Sequence, residues 1–436
     1  MVALLAMAAL AVDLVTLYTA RSEAQSAADA VALAGAQAFV TSGFTTGGLG
    51  DPTTSTTQQI LCTGTGSGLA EKQALAVAAQ NLIAGATANV PATSCNFANP
   101  LNPQITVTVQ RTGLPTFFSR IFGALPNSVT VTATAEAFNP SGQAIPVQVQ
   151  VGSVKPWAVP NCDPTAGNTV PSNPNCGTAG YFLDPANNYA VAHPTSVVGE
   201  ILDMPEWDPL SSTQPPTSGA GGGNPATVGF LATDIPITPN SASCPSSAAI
   251  SCNGISGSSP GYDETIACAN SIQLSCGQTL NVNPSSGKSG SPPGSQITGQ
   301  RAALCLTHAS TTGPSQGQDV FCGGNGVPPP ICPAGSPIEI DGGTNNPNPA
   351  LQGVDFISRS DSVVTVPVWD PPCSGGACTG DVTIVGFLQL GILRVRAVGS
   401  HPLRAVVLNV VGCGSAGSGT AISGGGLSPI PVRLVH

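Results

Sequence analysis

Asp203, Glu206 and Asp208 surround Trp207 in the segment ILDMPEWDP. Paired carboxylates beside an aromatic ring are what a glycosidase needs, and closely spaced oxygens also suit Ca²⁺. Three carboxylates in a proline-containing loop are more often plain solvated surface, and no other motif in the chain joins them. The run PSSGKSGS around Lys288 has the outline of a phosphate loop, but Val282 stands where its first glycine belongs and no strand leads into it. His193, His308, His401 and His436 are scattered, without His-Glu-x-x-His or any metal-ligand spacing, and no Gly-x-Ser-x-Gly elbow occurs. The chain therefore reads as a non-enzyme, with no metal and no cofactor expected.

The remaining reactive side chains are fourteen cysteines. Thiols in such number persist in a reducing cytosol only as metal or redox sites of recognisable spacing, and no Cys-x-x-Cys is present. A thiol enzyme needs one accessible, activated sulfur beside a base. Many sulfurs in Gly/Pro-rich segments read instead as staples, each contributing ~2 to 4 kcal/mol. Two of them, Cys62 and Cys95, precede residue 150 and twelve follow it, so each part has an even count. Proximity favours Cys62 with Cys95, Cys268 with Cys276 and Cys373 with Cys378.

Composition narrows the setting further. Charged residues make up 8% of the 436, against roughly 25% in ordinary soluble domains, while Gly and Pro number 52 and 41. Long charged helices are excluded over most of the chain, and Ser, Thr, Asn and Gln must form its surface. The net charge is −10, with no cluster of Lys or Arg, so the phosphate attraction that nucleic-acid binding requires is missing.

The elements that would carry these residues begin with MVALLAMAALAVDLVTLYTA, Met1 to Ala20. This is a helix-forming run that reads as membrane-embedded, with one acid at Asp13. A full span takes ~20 apolar residues, and only twelve precede Asp13. The chain is therefore expected either to start inside a longer hydrophobic segment or to open with an export signal, although no basic residue precedes the run. Helical pattern continues through Val40. Ala24, Ala27, Ala28, Val31, Ala34, Gly35 and Ala38 recur at three- and four-residue steps. That stripe suits close packing of another helix, and suits an ordinary core helix equally well. Asp13 likewise has two readings. A carboxylate at mid-membrane costs at least ~2.5 kcal/mol on insertion scales, so it either registers against a cationic partner in a neighbouring subunit or sits hydrated at the outer interface.

Residues 41–67 read as a Gly/Thr/Ser loop, and Leu69 to Ala84 as a second helix with Gly85 as its C-cap. Gln104 to Arg111 and Val129 to Phe138 alternate as strands, with TFFSRIFG, Thr116 to Gly123, a short helix between them. Past Asn139 the texture turns to Pro/Gly/Ser/Asn-rich connections. The strand candidates there are Ile145 to Val151, Val228 to Ala232, Val363 to Trp369, Val382 to Leu393, Leu403 to Val411 and Pro431 to Val435. Residues 211–225 and 283–300 read as exposed loops. The expected fold is α+β: a long transmembrane N-terminal helix over 1–40, a small α+β domain over 41–140, and a disulfide-stapled, Cys- and Gly/Pro-rich β domain over 141–436.

AALAVDLVTLYTAR with its Asp13, AQSAADAVALAGA from Ala24 to Ala36, and the order strand, TFFSRIFG, strand ending in VTATAEA resemble the TadE/TadG-like proteins of Tad (Flp) pilus assembly. The resemblance covers the first 140 residues. It implies a component of the pilus secretion machinery, or a minor pilin-like subunit, anchored in the inner membrane with its bulk in the periplasm or at the cell surface. The partners implied are other Tad pilus or secretion-system subunits. Assembly contacts are expected at Asp13, Ala28, Asp29, Leu33 and Gly35. Family members usually carry a short segment with Gly and Gln before the hydrophobic helix, which this sequence lacks. Some TadG-related proteins hold a metal through Asp-x-Ser-x-Ser after a strand. Here Asp355 to Ser360, DFISRS, is off by one position and Asp51 to Ser55, DPTTS, follows GGLG, so no such site is expected. The competing readings are a surface adhesin or ligand-binding envelope protein, and a secreted hydrolase using the carboxylates near Trp207.

Overall fold

The computed structural model describes residues 2–46, 53–99, 102–114, 127–138, 149–152, 154–166, 173–177, 179–192, 197–207, 215–220, 225–233, 235, 262–268, 273–282, 300–310, 317–321, 340–354, 357, 360–371, 381–395, 403–413, 422–424, 430 and 432–435. Two compact units result. One comprises Met1–Val40, Pro52–Phe138 and Val432–His436, the other Thr41–Asp51 and Asn139–Pro431.

In the first unit, α1 (Val2–Thr41) is a single helix, as its alanine content and freedom from proline dictate. Its second half buries Ala24, Ala27, Ala28, Val31, Ala32 and Ala36. Gly35 interrupts the alanines because a Cβ there would lie 2.7 Å from Ile105 Cδ1 and 3.2 Å from the Ala70 carbonyl oxygen. Thr54 caps α2 (Ser55–Leu61) by accepting from the Thr57 amide at 3.4 Å. α3 (Leu69–Gln80) starts at Gly68 and stops four residues short of the Ala84 expected from its pattern. Gly85 does not cap it. With Ala84 at φ 47° and Gly85 at φ 77°, the pair instead forms the two-residue loop between β1 (Leu82–Ile83) and β2 (Ala86–Thr87). That loop geometry needs positive φ at both positions.

β3 (Asn89–Asn96), β4 (Gln104–Leu114) and β5 (Asn127–Ala137) pair antiparallel. Their alternation places Ile105, Val107, Val109, Val131, Ala133 and Ala135 on the buried face. Thr106 and Thr134 meet on the other face at 2.9 Å. The chain's last strand, Val432–Val435, adds to β5 and gives the order last strand, β5, β4, β3. The TFFSRIFG segment lies outside the described residues.

The second unit is built on sheets. β6 (Val149–Gly152) lies between β14 (Gln273–Ser275) and β21 (Ile422–Gly424). β7 (Trp157–Pro160), β10 (Ile201–Met204), β11 (Thr217–Ser218), β12 (Ala226–Val228), β13 (Leu231–Ala232), β15 (Thr279–Asn281), β18 (Val363–Trp369), β19 (Asp381–Val395) and β20 (Leu403–Gly412) form the main sheet. Its order is β11, β12, β10, β20, β19, β18, β7, β13, with β15 also on β19. Hairpins β8 (Leu183–Asp184) with β9 (Ala190–Val191) and β16 (Val320–Phe321) with β17 (Ile340–Asp341) are separate.

All seven residues of β18 and all ten of β20 are buried, which explains their continuous apolar runs. One core gathers Trp157, Phe182, Phe230, Val366, Leu388 and Val407. Against it pack α4 (Tyr262–Ala267) through Ile266, and α5 (Gln300–Thr307) through Ala302, Ala303 and Leu306. A second cluster holds Phe321, Ile340, Ile357, Leu393 and Leu408.

The chain is mixed α+β, mostly β, with a long N-terminal helix and disulfides. Among the described residues no helix is long and apolar enough to cross a membrane, and the transmembrane expectation for α1 is corrected to that extent. Asp13 interrupts the apolar run, Arg21 and Glu23 follow it, and the second half of the helix is taken up by its own unit.

Candidate assembly surface on the first helix

α1 changes environment halfway along. Eight large hydrophobic side chains are exposed among the described residues, and Leu10, Val12, Leu14, Val15 and Tyr18 account for five of them, at 48 to 76% exposure. At 100° per residue, Leu10, Leu14, Val15 and Tyr18 share one face. Asp13 does not lie among them. It is only 8% exposed and heads the inward stripe that continues, at steps of seven, four, three and four, through Ala20, Ala24, Ala27 and Val31. The threonine hydroxyls on this stretch donate within the helix. Thr16 donates to the Val12 carbonyl at 2.9 Å and Thr19 to that of Val15 at 3.0 Å. With these hydroxyls bonded within the helix, Leu10, Leu14, Val15 and Tyr18 leave an exposed apolar face on α1.

The five residues expected to make assembly contacts are not brought into one patch. Asp13 and Gly35 stand roughly 33 Å apart along the axis at 1.5 Å per residue. Ala28 is fully buried, and Gly35 rests on Ile105 and Ala70, so both serve packing inside the first unit. Asp29 and Leu33 are half-buried. By the same 100° arithmetic they continue the outward face of Leu14 and Tyr18, and Asp29 accepts from Gln25 Nε2 at 2.8 Å. The exposed run from Leu10 to Tyr18 was visible as hydrophobicity in the sequence, but its outward direction depends on which stripe the sheet covers.

One buried carboxylate was missed by the sequence reading. Glu71 Oε2 accepts from the Thr63 amide at 3.0 Å, the Thr63 hydroxyl at 2.7 Å and the Gly68 amide at 2.9 Å. Its Oε1 accepts from the Gly64 amide at 2.8 Å and the Thr93 hydroxyl at 3.1 Å. Burial pushes this carboxyl up, but the hydrogen bonds from Thr63, Gly68 and Thr93 outweigh it and hold it at about 2. Glu71 thus ties the loop after α2 to the start of α3 and to β3, next to the Cys62–Cys95 disulfide, whose Cα atoms are 6.1 Å apart. The signal available was Glu three residues after a helix start, hidden by a glycine at the N-cap.

Two of the three carboxylates near Trp207 are described. Asp203 is paired to Arg404 through two hydrogen bonds of 2.7 and 2.8 Å, facing it directly across β10 and β20. Glu206 forms a backbone bridge to Phe230, Trp207 stacks on Trp369 with ring centroids 6.2 Å apart, and Asp208 lies outside the described residues. His308 Nε2 meets Asp361 Oδ2 at 2.9 Å. His193, His401, His436, Lys288, Asp355 and Asp51 lie outside the described residues. No group of three His, Cys, Asp or Glu that could hold a metal is found among those described.

No described cysteine is free. Cys162 bonds Cys176, and the expected pairing of Cys268 with Cys276 is corrected. Cys276 bonds Cys413, with Cα atoms 5.3 Å apart, and Cys268 is bonded elsewhere. The reason lies in β19. Gly277 N–H donates to the Ile384 carbonyl and Cys413 N–H to that of Val385, so sheet pairing brings the two cysteines together. Cys373 and Cys378 lie outside the described residues.

No curated protein and no solved structure matches the chain. Residues 1–38, nearly the whole of α1, match the model of a family described as putative Flp pilus-assembly TadE/G-like.

Proposed function

We propose that the chain is a structural, minor pilin-like subunit of the Tad (Flp) pilus-assembly or related secretion machinery. In this reading the start of α1 holds it at the bacterial inner membrane, and both units lie outside the cytoplasm. The observation that carries the proposal is the coincidence of the family match with the exposed apolar face from Leu10 to Tyr18. Val2 to Ala9 extend that stretch in sequence with eight more apolar residues. Asp29 and Leu33 continue the face toward neighbouring pilus or secretion subunits. Disulfides at every described cysteine fit an oxidising exterior.

Protease added to intact spheroplasts expressing a tagged chain is expected to remove everything after residue 41 and leave an N-terminal fragment with the membrane pellet. Replacing both Leu10 and Leu14 by Asn should release that fragment. Full protection of the wild-type chain, or a soluble chain with reduced sulfurs, would overturn the proposal.

A further inference from the structure

The sheet of the first unit is completed by a segment from the far end of the chain. Val432–Val435 faces Ala137, Glu136, Ala135 and Thr134 of β5 in antiparallel register. β5 offers this strand more than backbone groups. The Glu136 side chain, 8% exposed, takes one bond from Gln104 Nε2 at 3.1 Å and another from Arg433 at 2.6 Å. The Arg433 guanidinium also lies 4.4 Å from the Phe138 ring centroid. Without the strand, β5 would present unpaired N–H and C=O groups beside a carboxylate deprived of its cation. An edge of that kind suits an extended, arginine-bearing segment, with main-chain bonds supplying affinity and the ion pair selectivity.

The hold on the strand is modest. It spans four residues, and the Arg433 side chain is 53% exposed, which limits what the ion pair contributes. Residues 414–431 contain six glycines and four serines. Ile422–Gly424 is paired to β6, so seven residues, 425–431, lead from there to the strand. Exchange of an identical element between copies is a low-cost route to association.

We propose that the β5 edge is a strand-accepting site which, where chains are crowded, takes the last strand of a second copy of this chain in place of its own. Glu136 facing Arg433 is the complementarity that selects this occupant. The proposal stands independently of the pilus-assembly reading. In dilute solution the chain's own strand prevails, because a short tether keeps it at about millimolar effective concentration.

Two full-length variants test it. Glu136→Arg and Arg433→Glu each mismatch the pair within one chain, but a reciprocal exchange between them restores an opposite-charge pair at both edges. Mixed at equal concentration, they should sediment as a 1:1 species of twice the mass, while each alone, and the double variant E136R/R433E, sediment like the wild-type chain. A mixture that behaves as the sum of its components, with the double variant melting like wild type, overturns the proposal.

Should a single variant fail to fold, a fluorescent peptide of residues 430–436 titrated into the chain lacking 432–436 supplies the second measurement. It should bind at least tenfold more tightly than the same peptide carrying Arg433→Glu. Equal binding of the two peptides, or no anisotropy change with a folded acceptor, also overturns the proposal.

Discussion

Glu71 keeps a full negative charge at a position sealed from solvent, held by five neutral N–H and O–H donors. Its carboxyl is lowered from 4.5 to about 2, so the stabilisation is complete above pH 4.5 and disappears as pH falls toward 2. A shift of this size is worth on the order of 3 kcal/mol. Glu71→Gln puts an amide donor where an acceptor is required and should cost about 2 to 3 kcal/mol at neutral pH. It should also flatten the acid limb of the stability profile between pH 4.5 and 2. Denaturant melts followed by circular dichroism across that range check both effects, and an unchanged acid slope in the variant would remove Glu71 from the account. Asp203 is matched to a cation instead, paired to Arg404 across two buried strands.

At the level of single elements, α1 is matched to its sheet through Gly35. A methyl group there meets Ile105 Cδ1, which can swing aside, and the Ala70 carbonyl, which is backbone and less able to yield. Gly35→Val should therefore destabilise the first unit by about 1 to 3 kcal/mol, although valine is the better helix former. Gly35→Ala should cost less, and thermal melts of the two variants order them. A Gly35→Val chain as stable as wild type would show that α1 does not sit this close.

The legibility of these elements follows from the range of the interactions behind them. β4 and β5 were readable because Thr and Val alternate along them, and β18, β19 and β20 because strands buried on both faces become unbroken apolar runs. The length of α1 was readable from its alanines. Gly85 was misplaced because a helix cap and a hairpin loop both call for positive φ, and the choice depends on whether residues 82–83 and 86–87 pair. The outward face of α1 was hidden for a similar reason, since an apolar helix with residues of both sizes all round does not show which side its own unit covers.

Across the whole molecule, long-range closure decides what local spacing cannot. Cys276 and Cys413 are 137 residues apart, whereas Cys268 lies eight residues from Cys276, yet two strands flanking β19 bring the distant pair together. Closing a loop of that length removes about 5 kcal/mol of denatured-chain entropy in the chain-entropy account. Replacing both cysteines by serine should lower the melting transition of the second unit by several degrees. Peptide mapping without reductant should recover the Cys276 peptide joined to that of Cys413, and recovery joined to Cys268 would contradict the sheet order.

The last strand has a consequence for biogenesis. Residues 2–138 of the first unit are made well before residues 432–435, so its sheet stays one strand short until those arrive. Until they do, the β5 edge stays unpaired, and copies lacking 432–435 are expected to be the ones most prone to edge-to-edge adhesion.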